Sequence, residues 1–206
     1  LIRLLGVRTR IEGLERLDRN RPYTFMFNHG TVIDHIIVYG DVPHCGRGLE
    51  AAENFRVPFY GWIMRAFGNY PIDRRRAKAT RATLARCARE ARAEGFSVYC
   101  APEGTRSRDG LLGPLKSGVF RLARECGRDI APLALVDVYT VLPPGEWRPR
   151  PRTVTVRILE PIPLQGPVGE PCSIAELKAR VVAAFVSAGL KPGASAEREA
   201  GALPGG

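Results

Sequence analysis

Short apolar runs alternate along this chain with longer stretches of helical period. Residues 23–27, Tyr23-Thr24-Phe25-Met26-Phe27, form an aromatic, β-prone run that reads as a buried strand ending at Asn28 and His29. Thr31 stands at an N-cap position for a helix over residues 32–39, with Asp34 three residues in, the spacing of a capping box. Residues 49–53 read as another strand. Residues 58–67 carry Phe59, Tyr60, Trp62, Ile63, Met64 and Phe67 around most of a helical circumference. That pattern reads first as a core helix and second as a surface touching lipid, where Trp and Tyr sit well.

Residues 77–94 are alanine-rich and stop at Gly95, the clearest helix of the chain. Its arginines, Arg81, Arg86, Arg89 and Arg92, read as a solvated face or as a hold on anionic lipid. Residues 97–100 read as a strand, 116–126 as a helix, 130–136 and 153–159 as strands. Ser173 with Glu176 forms a capping box for a last helix that ends near Gly189. Strands alternating with helices predict a single α/β domain with a mostly parallel or mixed sheet flanked by helices. The expected divisions are a membrane-proximal N-terminal segment at 1–22, the domain at 23–190 and a disordered tail at 191–206. Residues 1–7 read as the end of an upstream apolar or amphipathic helix, or as a frayed terminus.

Composition changes this picture in one respect. The chain has 206 residues, enough for one domain with a real core, and an ordinary hydrophobic fraction of 45%. Its net charge of +10 favours a polyanionic partner: nucleic acid, anionic lipid or a phosphorylated substrate. No stretch approaches the roughly 18–20 apolar residues that span a bilayer. Five scattered cysteines without a C-x-x-C spacing read as reduced thiols packed like small apolar residues, in a cytosolic setting.

Two short segments carry the chemistry. Asn28-His29-Gly30-Thr31-Val32-Ile33-Asp34 offers a base and a carboxylate to steer it, and Pro102-Glu103-Gly104-Thr105-Arg106 offers a glycine turn with a guanidinium at its tip. On one continuous helix, residues five apart point about 140° away from each other. His29 and Asp34 therefore converge only if His29 sits on the strand-to-helix loop and Asp34 in the first turn. In that arrangement Asp34 fixes the imidazole tautomer and stabilises the imidazolium. Arg106 is the first candidate for a phosphate and Arg74 the second, because a guanidinium fork matches phosphate oxygens. Lys116 adds a third positive group, and Gly104 lets backbone amides approach an anion. Amides near Gly104 or Thr31 are possible oxyanion donors. Each segment also has a plain reading, as a chance pair and as a polar turn.

The order and separation of these segments resemble the glycerophosphate and lysophosphatidate acyltransferase family. The resemblance includes Gly68-Asn69-Tyr70-Pro71-Ile72-Asp73-Arg74 as a second block and Ile130-Ala131-Pro132-Leu133-Ala134 as a fourth, apolar one. It implies His29 as general base with Asp34, and direct attack of a substrate hydroxyl on a thioester. Gly68, Arg74, Glu103, Gly104, Thr105 and Arg106 would hold a glycerophosphate acceptor. The donor would be acyl-CoA or acyl carrier protein and the acceptor a lysophospholipid, with no metal or organic cofactor. The setting would be peripheral, at the cytoplasmic face of an anionic membrane. Gly30 departs from the family, where many relatives carry a bulkier polar residue. A reading of another class stays open, a non-catalytic basic module on anionic lipid or nucleic acid, although no nucleic-acid motif is present.

Overall fold

Successive side chains of the central strands point to opposite faces of one sheet, and each face buries its own set. In β2 (Thr24–Phe27), Phe25 and Phe27 join Tyr99, Leu133 and Leu135 beneath α1 (Asp34–Asp41). Met26 points the other way, to Cys100, Ile130 and Ala134, beneath α4 (Ser117–Cys126) and α6 (Ile174–Ser187). Each such side chain, fully withdrawn from water, contributes about 1.5–3 kcal/mol before entropy is counted. A third cluster packs α3 (Ala77–Glu94) through Cys87, Ala88 and Ala91 onto Tyr70 and Val98. The computed structural model describes residues 6–143, 145–166 and 168–201.

Among the described residues the remaining strands and α-helices are β1 (Arg8–Glu12), β3 (Gly46–Ala51), α2 (Tyr60–Ala66), β4 (Tyr70–Ile72), β5 (Ser97–Cys100), β6 (Ile130–Val136), α5 (Val138–Val141), β7 (Thr153–Ile158) and α7 (Ala194–Ala200). The seven strands form one sheet in the order β1-β7-β6-β2-β5-β3-β4. All neighbours are parallel except β6 and β7. The expected single α/β domain with a mixed sheet is what the chain forms.

The direction of winding reverses at β2. It pairs β5 on one side and β6 on the other, both parallel, so three carboxyl ends and their loops gather at one edge. Open α/β sheets bind ligands at such a reversal.

Three expectations need correction. Residues 8–12 are not a separate N-terminal segment but strand β1, paired in register from Arg8↔Thr153 to Glu12↔Arg157. The helix end expected at 1–7 lies mostly outside the described residues. The tail expected to be disordered instead carries α7, whose Ala196 is fully buried and whose Glu199 binds Lys178 at 3.0 Å. Residues 58–67 do not form a core helix: α2 buries Gly61 and Met64 but leaves Trp62 and Ile63 exposed, together with Phe59 and Phe67 at its ends.

Candidate active site

The strand-to-helix loop after β2 folds around one carboxylate. Asp34 is fully buried, and its Oδ2 accepts from His29 Nδ1 at 2.8 Å, Gly30 N at 2.7 Å and Thr31 N at 3.0 Å. Its Oδ1 accepts from the Thr31 hydroxyl at 2.5 Å, and Thr31 Oγ1 in turn accepts from Ile33 N at 3.2 Å. The His–Asp pairing is realised, but the capping box expected at Thr31 is only half formed: Asp34 accepts from Thr31 N, while the Thr31 hydroxyl donates to Asp34 and the helix begins at Asp34, after Ile33. A carboxylate only accepts, so Nδ1 of His29 carries a proton toward Asp34, and in the neutral ring it is Nε2 that holds the lone pair. The His29 side chain is 19% exposed, so the ring is sheltered but reachable.

The loop after β5 grips the same histidine by its backbone. Buried Glu103 accepts from His29 N at 2.9 Å through Oε1 and from Gly113 N at 2.8 Å through Oε2, while Ser107 N donates to His29 O at 2.7 Å. Burial pushes the Glu103 carboxyl above its ordinary range, against the pull of the two amides. Asn28 ties the loop to the third strand end, accepting from Leu135 N at 2.7 Å and donating to Leu135 O at 3.2 Å. One strand end from each side of β2 therefore fixes His29 in place.

Gly30 has its explanation here. A Cβ at this position would lie 2.9 Å from Val138 Cγ1 and 3.2 Å from Tyr139 N, so α5 occupies the space a side chain would need. Gly104 sits at φ +67, a conformation that favours glycine, and turns the chain beside Lys116.

A cavity of about 240 Å³ opens at this edge, lined by residues 28–30, Glu103, Ser107, 110–112, 135–140 and 189–191. The sequence-predicted residues divide around it. His29 and Glu103 line it, and Asp34 stands behind His29. Thr105, Arg106 and Lys116 lie outside it on the exposed face of the neighbouring turn, and Lys116 N donates to Pro102 O at 2.7 Å. Gly68 and Arg74 flank β4, the strand at the far edge, about three strand spacings or ~14 Å from β2. Among the described residues Arg74, Arg106 and Lys116 form no ion pair.

One other expectation changes. The candidate oxyanion donors are engaged, Thr31 N with Asp34 and Gly104 N with Ala101 O at 3.0 Å. Next to Asp34, His35 is buried and hydrogen-bonds the Tyr60 hydroxyl through Nε2, with Glu50 Oε1 3.7 Å from Nδ1. Burial holds its imidazole below the ordinary value, against the attraction of Glu50 and Asp34. The fourth block around Pro132 is buried core strand.

Lys191 is the residue sequence reasoning missed. It lines the cavity because the chain after α6 returns to the loop beyond β5: Leu112 N donates to Lys191 O at 2.8 Å and Gly193 N to Leu112 O at 3.0 Å. No local pattern announces such a contact.

Among the described residues no serine or cysteine is set up as a nucleophile beside His29. Ser107 Oγ is held in its own turn by Leu111 O at 2.9 Å and Gly110 N at 2.9 Å. Cys100 is buried in β5 and burial drives its thiol far up, away from the reactive thiolate. Among the described residues no group of three or more His, Cys, Asp or Glu is gathered as metal ligands.

Comparison with known proteins places the chain among acyltransferases. Over 139 residues the chain is 33% identical to a Brassica napus protein named 1-acyl-sn-glycerol-3-phosphate acyltransferase BAT2, chloroplastic, covering 67% of this chain and 40% of that one. It is 30% identical over 162 residues to the 1-acyl-sn-glycerol-3-phosphate acyltransferase of Saccharomyces cerevisiae, covering 77% of this chain and 53% of that protein. The chain thus spans about half the length of these curated relatives. The fold is shared with the crystal structure of the LPA acyltransferase PlsC from Thermotoga maritima, at TM-score 0.71 and 24% identity, covering 89% of this chain and 72% of that one. With the family model for acyltransferases matching residues 8–136, more than half of its length and both polar segments, this chain belongs to the acyltransferase family.

Proposed function

We propose that this protein transfers a fatty acyl group from a thioester, acyl-CoA or acyl carrier protein, to the free hydroxyl of 1-acylglycerol 3-phosphate, giving phosphatidate in phospholipid biosynthesis. The observation that carries this reading is the His29–Asp34 contact of 2.8 Å at the wall of the cavity, in a chain whose relatives bear that activity in their names. His29 Nε2 takes the proton of the acceptor hydroxyl as its oxygen attacks the thioester carbonyl. The tetrahedral adduct collapses, the C–S bond breaks, and the imidazolium returns the proton to the leaving thiolate. General-base assistance of this kind contributes about 10²–10⁴-fold. Asp34 stabilises the transient imidazolium, and Glu103 holds the histidine backbone.

The phosphate is held by Arg106, with Gly104, Thr105 and Lys116 around it at the carboxyl end of β5, and by Arg74 beyond the carboxyl end of β4; Gly68 lies at the opposite, amino end of β4, beside Arg47, and is set apart from this group. The protein acts peripherally at the cytoplasmic face of a membrane, a reading supported by a lipid acceptor and a net charge of +10.

The test is thiol release from a long-chain acyl-CoA and from an acyl carrier protein donor, with and without lysophosphatidate. Wild type and His29→Ala are run side by side. Release that needs the acceptor and falls at least about 100-fold in the folded variant is expected. Equal release by both proteins rejects the mechanism. A panel with glycerol 3-phosphate and other lysolipids identifies the acceptor.

A further inference from the structure

The least explained surface of the molecule is the segment around α2. Phe59 is 72% exposed, Trp62 63% and Phe67 60%, with Val57 and Ile63 each about half exposed beside them. An apolar, aromatic group of this kind on one short segment marks an interaction surface. It is also held in place. Phe59 has a positive φ of +60 with ψ −55, at the centre of a tight turn closed by Tyr60 N on Pro58 O at 2.6 Å, a conformation a bulky residue adopts only where its surroundings impose it, and its ring meets Trp62 edge-on at 5.1 Å. Phe67 stacks on Tyr39 of α1 at 6.4 Å with the ring planes 11° apart.

The polar surroundings select the occupant. Between Arg56 and Phe67 the chain contains two arginines, both exposed, and no acid. Just beyond β4, the edge strand that α2 leads into, Arg75 and Arg76 are exposed too, Arg76 with its Nε 3.6 Å from Asp73. Aromatic rings bordered by guanidinium groups suit the boundary between headgroups and acyl chains of an anionic bilayer. The patch also communicates with the candidate active site: the Tyr60 hydroxyl bonds His35, and His35 follows Asp34 directly on α1.

We infer that residues 57–67 are the surface by which this protein inserts into an anionic membrane, with Phe59, Trp62 and Phe67 as the inserted side chains and Arg56 and Arg65 as headgroup contacts. This rests on the reading that the protein works at a lipid surface, and identifies where it does so.

The full chain has two tryptophans, Trp62 and Trp147, so Trp147→Phe leaves Trp62 as a reporter. Vesicles of phosphatidylcholine, with and without phosphatidylglycerol, should shift Trp62 emission to the blue, and lipids brominated on the acyl chain should quench it. In sedimentation with phosphatidylglycerol-containing vesicles, the triple variant Phe59→Ser/Trp62→Ser/Phe67→Ser should bind about 100-fold more weakly. Its turnover of a short-chain acceptor below the micellar concentration should stay near wild type, which shows that it folds. Arg56→Gln/Arg65→Gln should bind the two vesicle types alike. Equal vesicle binding by wild type and the triple variant overturns the inference and leaves the lipid-surface reading standing. Absence of wild-type binding to either vesicle overturns both. A Trp62 shift that follows protein concentration without lipid assigns the patch to a second copy of the chain and also overturns it.

Discussion

Asp34→Asn separates the charge of the buried carboxylate from its shape. With the amide oxygen in the Oδ2 position, His29 Nδ1, Gly30 N and Thr31 N keep an acceptor at their present distances of 2.8, 2.7 and 3.0 Å. The amide nitrogen then faces Thr31 Oγ1, which can reverse from donor to acceptor, and the second contact of Thr31 N, at 3.1 Å, is lost, so that its N–H keeps only the amide oxygen. The loop survives, with hydrogen bonds to a charged acceptor replaced by weaker neutral ones, at a cost of about 1–2 kcal/mol, or about 2–8 °C in Tm. What disappears is the attraction between carboxylate and imidazolium. Taking charge centres ~4 Å apart at an effective dielectric of ~20 gives ~4 kcal/mol, or ~10³-fold in rate. Asp34→Ala, by contrast, leaves four donors without a partner inside the protein and should lose several kcal/mol of stability as well. The assay is acceptor-dependent thiol release at saturating substrate, paired with thermal unfolding of each variant. A folded Asp34→Asn protein within tenfold of wild-type kcat, beside an inactive His29→Ala, would falsify the claim that Asp34 supports an imidazolium.

Gly30→Ala should cost about 1–3 kcal/mol by crowding Val138, and Val138→Ala in the same chain should restore part of it; thermal unfolding reads both, and no loss would mean that α5 yields freely. Arg106→Ala should raise KM for the phosphorylated acceptor ~10–100-fold with less effect on kcat, the range expected for charge-assisted hydrogen bonds. An unchanged KM removes Arg106 from the phosphate site. His35 supplies a pH dependence. Its folded imidazole titrates below 6.5, so as pH falls through 6.5 the unfolded chain takes up a proton that the folded one resists. Stability contributed at this site is therefore present above 6.5 and declines below it. The unfolding free energies of wild type and His35→Gln should draw together as pH is lowered from 7.5 to 5.5, about a unit either side of the imidazole range; a constant difference refutes the assignment.

Elements specified by local contacts were legible in the sequence. Helix α3 spans the residues its alanine content predicts and stops at Gly95 in a left-handed conformation. Strands β5 and β6 also fall where their apolar runs lie. Ser173 caps α6 by accepting from Glu176 N, although the Glu176 carboxylate turns to Arg180 instead of closing the box. The pairing of His29 with Asp34 followed from the spacing and the need for a bend. Elements specified by distant partners were not legible. Tail helix α7 depends on Lys178 and on burial of Ala196 against α6, and neither is signalled by its Gly- and Ala-rich composition. The segment around α2 is apolar enough for a core, but the sheet ends at β4 and leaves one side of it uncovered. His35 found Tyr60 only because α2 folds back over α1.

The grip on His29 is made through the main chain, by the Glu103 carboxylate on its N–H and by Ser107 N–H on its carbonyl. Such contacts do not depend on which side chains line the opposite wall at residues 135–140 and 189–191. The proposed base and the wall facing it are therefore separable parts. If His29 is the base, exchanging Tyr139, Thr140 or Lys191 should change which molecule fits without moving the imidazole, and libraries built on that wall would offer a route to new acceptors on an unaltered frame.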